Sequence, residues 1–453
     1  MSASTPTSGG IMKRVIPWLA LAVSLVFARG GVSAPGASEI EALVRDISPA
    51  NIEATLKKLA SFETRHVYSS DREGFGIKAA ADWIREAFAA LSPRLQVSFD
   101  DYELAAQGGR LSRPVTLRNV VAVLPGKFAG DKDRDRIVLV NAHYDTVARP
   151  VDRDHPRDDF DNPAPGVNDD ASGVAALLEM ARVLSGRAFD ASIHFVAFAG
   201  EEIGLVGSTL MAARLKAEGR RIDGVLTLDM IGNIEGGNGF VDNRRMRVFA
   251  DGPEDSASRQ LARYAKTVAE TYFPSAKIDC VFRADRFGRG GDHTPFVLEG
   301  WAGIRMMEAL ENYGRQHTVH DTLANMSVDY CARNTRIVAA VLASLAAAPP
   351  APVVTSERGQ PLLRRGPSGY DAQLGWNAVP RDDIAGYKVY WRKTTAPFWE
   401  NQAFVGNRTE FVLDKVTIDE SVFGVSAVDT DGHESLVAAY VMAPRRKSAY
   451  QLR

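Results

Sequence analysis

Two cysteines in 453 residues, Cys280 and Cys331, are too few for a disulfide-stapled scaffold or a thiolate zinc cluster. Any metal this chain holds must therefore be held by His, Asp and Glu. Whether the two thiols pair is not written in their spacing. Excess charge of one sign is lacking as well. The 54 basic and 56 acidic residues leave a formal charge of −2, so no basic surplus exists to neutralise nucleic-acid phosphates. No run reaches the roughly 18 apolar residues of a membrane-spanning helix. What is present, 45% hydrophobic and 24% charged residues, excludes a mainly disordered chain. The length exceeds what a single core normally serves.

The N-terminus has the layout of an export signal. Lys13 and Arg14 precede a short apolar run over 15–27, and Val32-Ser33-Ala34 offers a small-x-small cleavage site. Residues 1–34 are thus expected to be a signal peptide, leaving a secreted or periplasmic protein with no integral membrane segment.

Two territories follow. Over 35–348, buried-strand runs at 137–140, 192–198, 225–228 and 303–307 alternate with helical stretches at 79–91, 171–184, 256–270 and 335–345. That alternation predicts an α/β domain, a mainly parallel sheet covered by helices on both faces. Ala-Ala-Ala-Pro-Pro-Ala-Pro at 346–352 then reads as a stiff linker, which predicts separable cores. From 349 to 453 short strands are separated by turns, with runs at 373–376, 386–391, 411–413, 422–428 and 436–441, as in a small all-β sandwich. LGW, GYKVYWR and FGVSAVDTDGHES resemble a fibronectin type III domain, although Phe423 stands where that family usually places its corner tyrosine. The resemblance implies a spacer or a module that binds another protein or a surface.

The chemistry gathers at strand ends. IVLVNAHYDTV puts His143 and Asp145 after one buried strand, IHFVAFAGEEIG puts Glu201 and Glu202 after a second, and GVLTLDMIGN puts Asp229 after a third. Ligands of open α/β sheets bind outside the carboxyl ends of the strands, so three strands deliver metal-capable groups to one edge. PGVNDDASG, at 165–173, is a turn feeding a helix, and a carboxylate there can bridge two cations or simply cap the helix. In QHTVHDT, at 316–322, spacing alone permits either His317 or His320 as a ligand.

NAHYDTV, PGVNDDASGVAALLE, FAGEEIGLVGS, LDMIGN and HTVHDTLAN, in that order, resemble the co-catalytic zinc aminopeptidases of the bacterial leucyl aminopeptidase and aminopeptidase Y type. Glutamate carboxypeptidase belongs to the same group. The resemblance spans about residues 40–345. It implies two zinc ions per chain, one held by His143 and Asp229, the other by Glu202 and His317, with Asp169 bridging. It selects His317 because the family's ligand stands four residues before the acid of an acid-Thr pair, here Asp321-Thr322. It further implies that Glu201 is the general base for a metal-bound hydroxide, that Asp145 orients His143, and that the Asp169–Asp170 peptide is cis. The implied activity is hydrolysis of peptide bonds by an exopeptidase, in the first place an aminopeptidase.

The physical reading agrees. Two imidazoles and three carboxylates suit zinc, and a two-metal clamp can acidify water and stabilise an oxyanion. No motif declares whether a free amine or a free carboxylate is held. Asp292, in GGDHTPF, and Glu308, ending a strand, are candidates to accept an amine hydrogen bond, or else solvated or supporting acids. The alternatives are a carboxypeptidase, a one-zinc glutaminyl cyclase-like enzyme on the same fold, and a non-catalytic binding homologue.

Overall fold

The computed structural model describes residues 37–148 and 159–441, so the expected signal peptide lies outside the described residues. Cys280 and Cys331 are both free thiols. Among the described residues no helix is long and apolar enough to cross a membrane.

The first territory runs α1 (Ala37–Arg45), α2 (Pro49–Ala60), α3 (Gly76–Leu91), β1 (Gln96–Leu104), β2 (Val115–Leu124) and β3 (Ile137–His143). It continues through α4 (Ala171–Leu184), β4 (Ser192–Phe198), α5 (Val206–Ala217), β5 (Ile222–Leu228) and β6 (Arg245–Phe249). Then come α6 (Ala257–Tyr272), β7 (Lys277–Val281), α7 (Thr294–Leu298), β8 (Gly303–Glu308) and α8 (Val328–Ala347). The eight strands form one sheet in the order β1-β2-β4-β3-β5-β8-β6-β7. Its centre, β4-β3-β5-β8, is parallel, as expected. The flanks add antiparallel pairs, β1 with β2, β2 with β4 and β6 with β8.

Central strands read as continuous apolar runs because both faces are covered. In β3, Val138, Val140 and Ala142 face the larger core with α1–α4, α6 and α8. Ile137 and Leu139 face a smaller one with Met211 and Leu215 of α5 and Phe296 of α7. The alternation follows from the period of two in a pleated strand. Helix α4 is buried on nearly every side, which explains its apolar composition, and Asp170 caps it by accepting the Gly173 N–H.

Expectation and structure part at α8, which begins at Val328 rather than 335. Its first turns carry Asn334 and Thr335, polar residues that interrupt the apolar pattern yet are buried, bonded to the carbonyls of Ile231 and Cys331. Strands β1 and β2 were absent from the expectation. β1 alternates half-buried with exposed residues and carries charge, Asp101 pairing with Arg118 of β2.

The second territory comprises β9 (Leu363–Arg365), β10 (Asp371–Gly375), β11 (Ile384–Lys393), β12 (Asn401–Gly406), β13 (Glu410–Thr417), β14 (Ser421–Asp429) and β15 (Ala438–Ala439). Two antiparallel sheets, β13-β10-β9 and β12-β11-β14-β15, enclose a separate core around Trp376, Tyr387, Val389, Phe423 and Val425. Phe423 of β14 is fully packed inside this core.

Separate cores do not mean a loose junction. Arg392 of β11 is 1% exposed and donates to both oxygens of Asp255, at 2.7 and 2.8 Å, and to Glu254. Arg263 of α6 shares Asp255 at 3.0 Å and reaches back to the Pro397 carbonyl at 2.7 Å. Removing one partner of a buried ion pair strands the other charge. Arg392→Met is therefore expected to lower the unfolding free energy by about 3 kcal/mol, the low end of such losses because Arg263 stays on Asp255. Urea unfolding checks it, and a midpoint unchanged from wild type would show that this junction contributes nothing to stability.

Candidate metal centre

His143 closes β3, Glu201 and Glu202 follow β4, and Asp229 follows β5, so the parallel strands bring all four to one sheet edge. Asp169 arrives from the turn before α4, and His317 from the loop between β8 and α8. The Asp169–Asp170 peptide is cis. Gly166 opens that turn at φ +48°, and a Cβ there would lie 2.5 Å from the Asp169 carbonyl oxygen, so only glycine fits.

Asp169 sits between two histidines, one oxygen towards each. His143 Nε2 is 3.1 Å from Asp169 Oδ1 and 3.9 Å from Asp229 Oδ1. On the other side, His317 Nε2 is 2.9 Å from Asp169 Oδ2 and 3.0 Å from Glu202 Oε1. Ligand atoms of His143, Asp169 and Glu202 all lie within 4.8 Å of one another. His320 is exposed and outside the cluster.

These residues fit a cation. Asp169 Oδ2 and Glu202 Oε1 are buried and accept no hydrogen bond, despite the imidazole nitrogen beside both. Buried oxygens are rarely left so, and donors that converge without bonding one another share a common focus. Charge points the same way. Burial pushes the Glu201 carboxyl well above its usual range, and the neighbouring Glu202, Asp229 and Asp292 push further. His317, against burial, is drawn up to about 10 by Glu202 and Asp169. A site that would otherwise gather protons this strongly suits metal ions in their place.

Three backbone positions here, Leu205, Met230 and His317, have φ near +60°, a region that residues with a Cβ seldom adopt. They follow the Glu-Glu turn, follow Asp229, and form the His317 candidate itself. Such conformations persist where surroundings enforce them.

Supporting side chains supply that enforcement. Asp145 lies 3.5 Å from His143 Nδ1, and its two oxygens accept the N–H groups of Glu201 at 3.2 Å and Glu202 at 3.1 Å. Asp170 accepts from the backbone of His143, Gly173 and Met230, tying the β3 end, α4 and the β5 exit together. Asp321 accepts the N–H groups of Asn168 and Asp169 at 2.8 and 2.9 Å, which aims Asp169. Arg305 donates to Asp229 Oδ2 at 3.3 Å. In the sequence Asp321 is a landmark only, Asp170 enters only through the expected cis peptide, and Arg305 has no part. Their signal was position alone, a strand interior for Arg305 and a helix start for Asp170.

Of the two acids considered for amine recognition, Glu308 is wholly buried and accepts from Asn168 Nδ2 at 3.1 and 3.0 Å and from the Asn233 N–H at 2.7 Å. It braces the Asp169 turn. Asp292 is also buried, and burial raises its carboxyl to about 7.

Residues 119–342 match Peptidase family M28. A probable zinc metalloprotease of Pyrenophora teres f. teres is 34% identical over 438 residues, 89% of this chain and 87% of the relative. The chain belongs to Peptidase family M28. Solved structures with the same fold include the LapA aminopeptidase of Legionella pneumophila and a glutaminyl cyclase of Macrostomum lignano. The first has TM-score 0.52 at 22% identity, covering 68% of this chain and 75% of LapA. The second has TM-score 0.52 at 19% identity, covering 67% of this chain and 91% of the cyclase. Family M28 membership implies zinc, in keeping with the oxygen and imidazole donors assembled here.

Proposed function

We propose that the protein is an exported exopeptidase with two zinc ions per chain that removes residues from the free N-terminus of peptides. The observation that carries this reading is Asp169 with one oxygen towards each histidine, the arrangement expected of a carboxylate shared by two metals. His143 and Asp229 would hold one ion, Glu202 and His317 the other. The metalloprotease relatives and the aminopeptidase LapA support it, as does the layout of residues 13–34 for export.

When bound, zinc polarises the scissile carbonyl and acidifies water. Glu201, beside the cluster but not needed as a ligand, takes the proton from the attacking water onto its carboxylate and returns it to the leaving amine nitrogen. Asp145 holds the His143 ring and the Glu201 backbone in register. The β-sandwich is a candidate docking module for another protein or a surface.

A glutaminyl cyclase reading draws on the fold shared with the Macrostomum lignano enzyme. Zinc analysis with a peptide panel discriminates. The expected result is two zinc per chain, cleavage of peptides with a free amine, and no cleavage once that amine is acetylated. One zinc with cyclisation of N-terminal glutamine would replace this reading by the cyclase, and cleavage that needs a free carboxylate would make it a carboxypeptidase.

A further inference from the structure

Two loops meet beside the metal centre and both carry arginines. The first, after β7, leads to Asp292; the second, after β8, leads to His317. On the first, Arg286 Nη2 is 3.1 Å and Arg289 Nη1 2.7 Å from Glu311 Oε2 on the second. Arg247 of β6 takes Glu311 Oε1 at 2.8 Å. Tyr313, also on the second loop, donates to Glu311 Oε2 at 2.8 Å, and its hydroxyl touches both Arg286 and Arg289. Three guanidinium groups thus converge on one carboxylate, and against the opposing effect of burial they hold it well below the usual carboxylate range.

The neighbouring acids do not cancel this surplus. Asp285 is bound by Arg305 and lies 3.5 Å from Arg286 and 3.9 Å from Arg289. Asp251, near Arg305, is pushed towards its neutral form by burial. Four arginines, Arg247, Arg286, Arg289 and Arg305, therefore face the two carboxylates of Glu311 and Asp285 outside the metal centre.

The surplus is open and close to the reacting groups. Arg286 and Arg289 keep 32% and 26% of their side chains exposed. Arg305 Nη1 binds the Gly290 carbonyl, next to Arg289, at 2.7 Å and Asp229 at 3.3 Å, so one guanidinium nitrogen joins the loop to the centre. Arg289 bonds Glu311 and Tyr313 through Nη1, which leaves the outer edge of a planar fork suited to a carboxylate.

We propose that Arg286 and Arg289 form an anion subsite beside the metal centre, so that favoured peptides carry a carboxylate near the scissile bond. The inference rests on the exopeptidase reading for its substrate class. A carboxylate there has two sources, an acidic side chain or a free C-terminus, and both offer the same planar pair of oxygens.

Binding measured by calorimetry to zinc-loaded Glu201→Gln protein tests it without turnover. The probes are glutamyl-alanine amide, with a side-chain carboxylate only, glutaminyl-alanine, with a terminal carboxylate only, and glutaminyl-alanine amide, with neither. At least one acidic probe should bind about tenfold tighter than the neutral one, and which one does names the source. Arg289→Gln, added to that background, should bring the ratio to within about threefold. Arg286→Gln is run in parallel, since each single change leaves Glu311 two guanidinium partners and so keeps the loop folded. Equal affinities, a preference that survives both substitutions, or no binding of any probe would overturn the subsite. Wild-type enzyme whose Glu201→Gln form discriminates in binding but which cleaves no peptide would instead sink the exopeptidase reading and leave the subsite standing.

Discussion

Glu201→Gln is expected to keep the zinc content of the wild type while losing at least about 100-fold in turnover, the usual scale for removing a general base. Glutamine nearly preserves size and shape, so neighbours need not move, and Glu201 is not among the groups closest to Asp169. On the proposed mechanism, what the substitution removes is the ability to take a proton from water and return it to the leaving amine. Steady-state kinetics on a peptide anilide, beside metal analysis of the same preparation, measures both halves. Near-normal turnover with full metal would overturn the assignment of the base. Loss of metal together with activity would instead make Glu201 a ligand.

The second large effect separates two histidines three positions apart. His317→Ala should lose one zinc per chain, because His317 Nε2 lies 2.9 Å from Asp169 and 3.0 Å from Glu202. His320→Ala should keep both, since His320 is exposed and its backbone merely accepts from and donates to neighbouring loop residues. Metal stoichiometry of the two variants, purified side by side, gives the answer. If His320→Ala sheds a zinc and His317→Ala does not, the ligand has been placed on the wrong residue. The contrast is informative because both changes delete an imidazole from one loop, so a general loosening of that loop would affect them alike.

How much of this was legible beforehand depended on what each residue's neighbours were. The strands at 137–140, 192–198, 225–228 and 303–307 could be read because burial on both faces leaves a largely apolar run, interrupted only by Ser192, His194, Thr227 and Arg305. Helix α4, Ala171–Leu184, was legible to the residue for a related reason, its apolar positions lying on most faces and Gly186 standing just past its end. The flanking strands β6 and β7 were not. Each has five residues, with Arg245 and Arg247 in one and Lys277 and Asp279 in the other, and no apolar run to find. Helix α5 was missed because its polar and apolar residues do not segregate to clear faces, and it starts from Leu205 in a left-handed conformation instead of a capping side chain.

The site divides in the same way. His143, Asp169, Glu202, Asp229 and His317 stood out through motifs that announce them, and the fold brings them together. Asp321, Asp170 and Arg305 act through backbone N–H groups and a carboxylate brought close only by folding. Arg305 lies 76 positions from the Asp229 it contacts and Asp321 152 from the Asp169 whose N–H it accepts. No local pattern encodes such pairings. For Glu308, placement at a strand end suggested an open acid, whereas its oxygens are taken up by Asn168 and Asn233.

Asp145 gives the centre an unusual economy. One carboxylate grips the backbone of two consecutive residues, Glu201 and Glu202, and stands behind the His143 ring as well. Glu201, the proton acceptor proposed above, and groups on both sides of Asp169 are therefore aligned by a single fastening. Attempts to retune this protein for another metal by shifting His143 or Glu202 will drag Glu201 with them, so metal preference and proton transfer have to be redesigned as one unit.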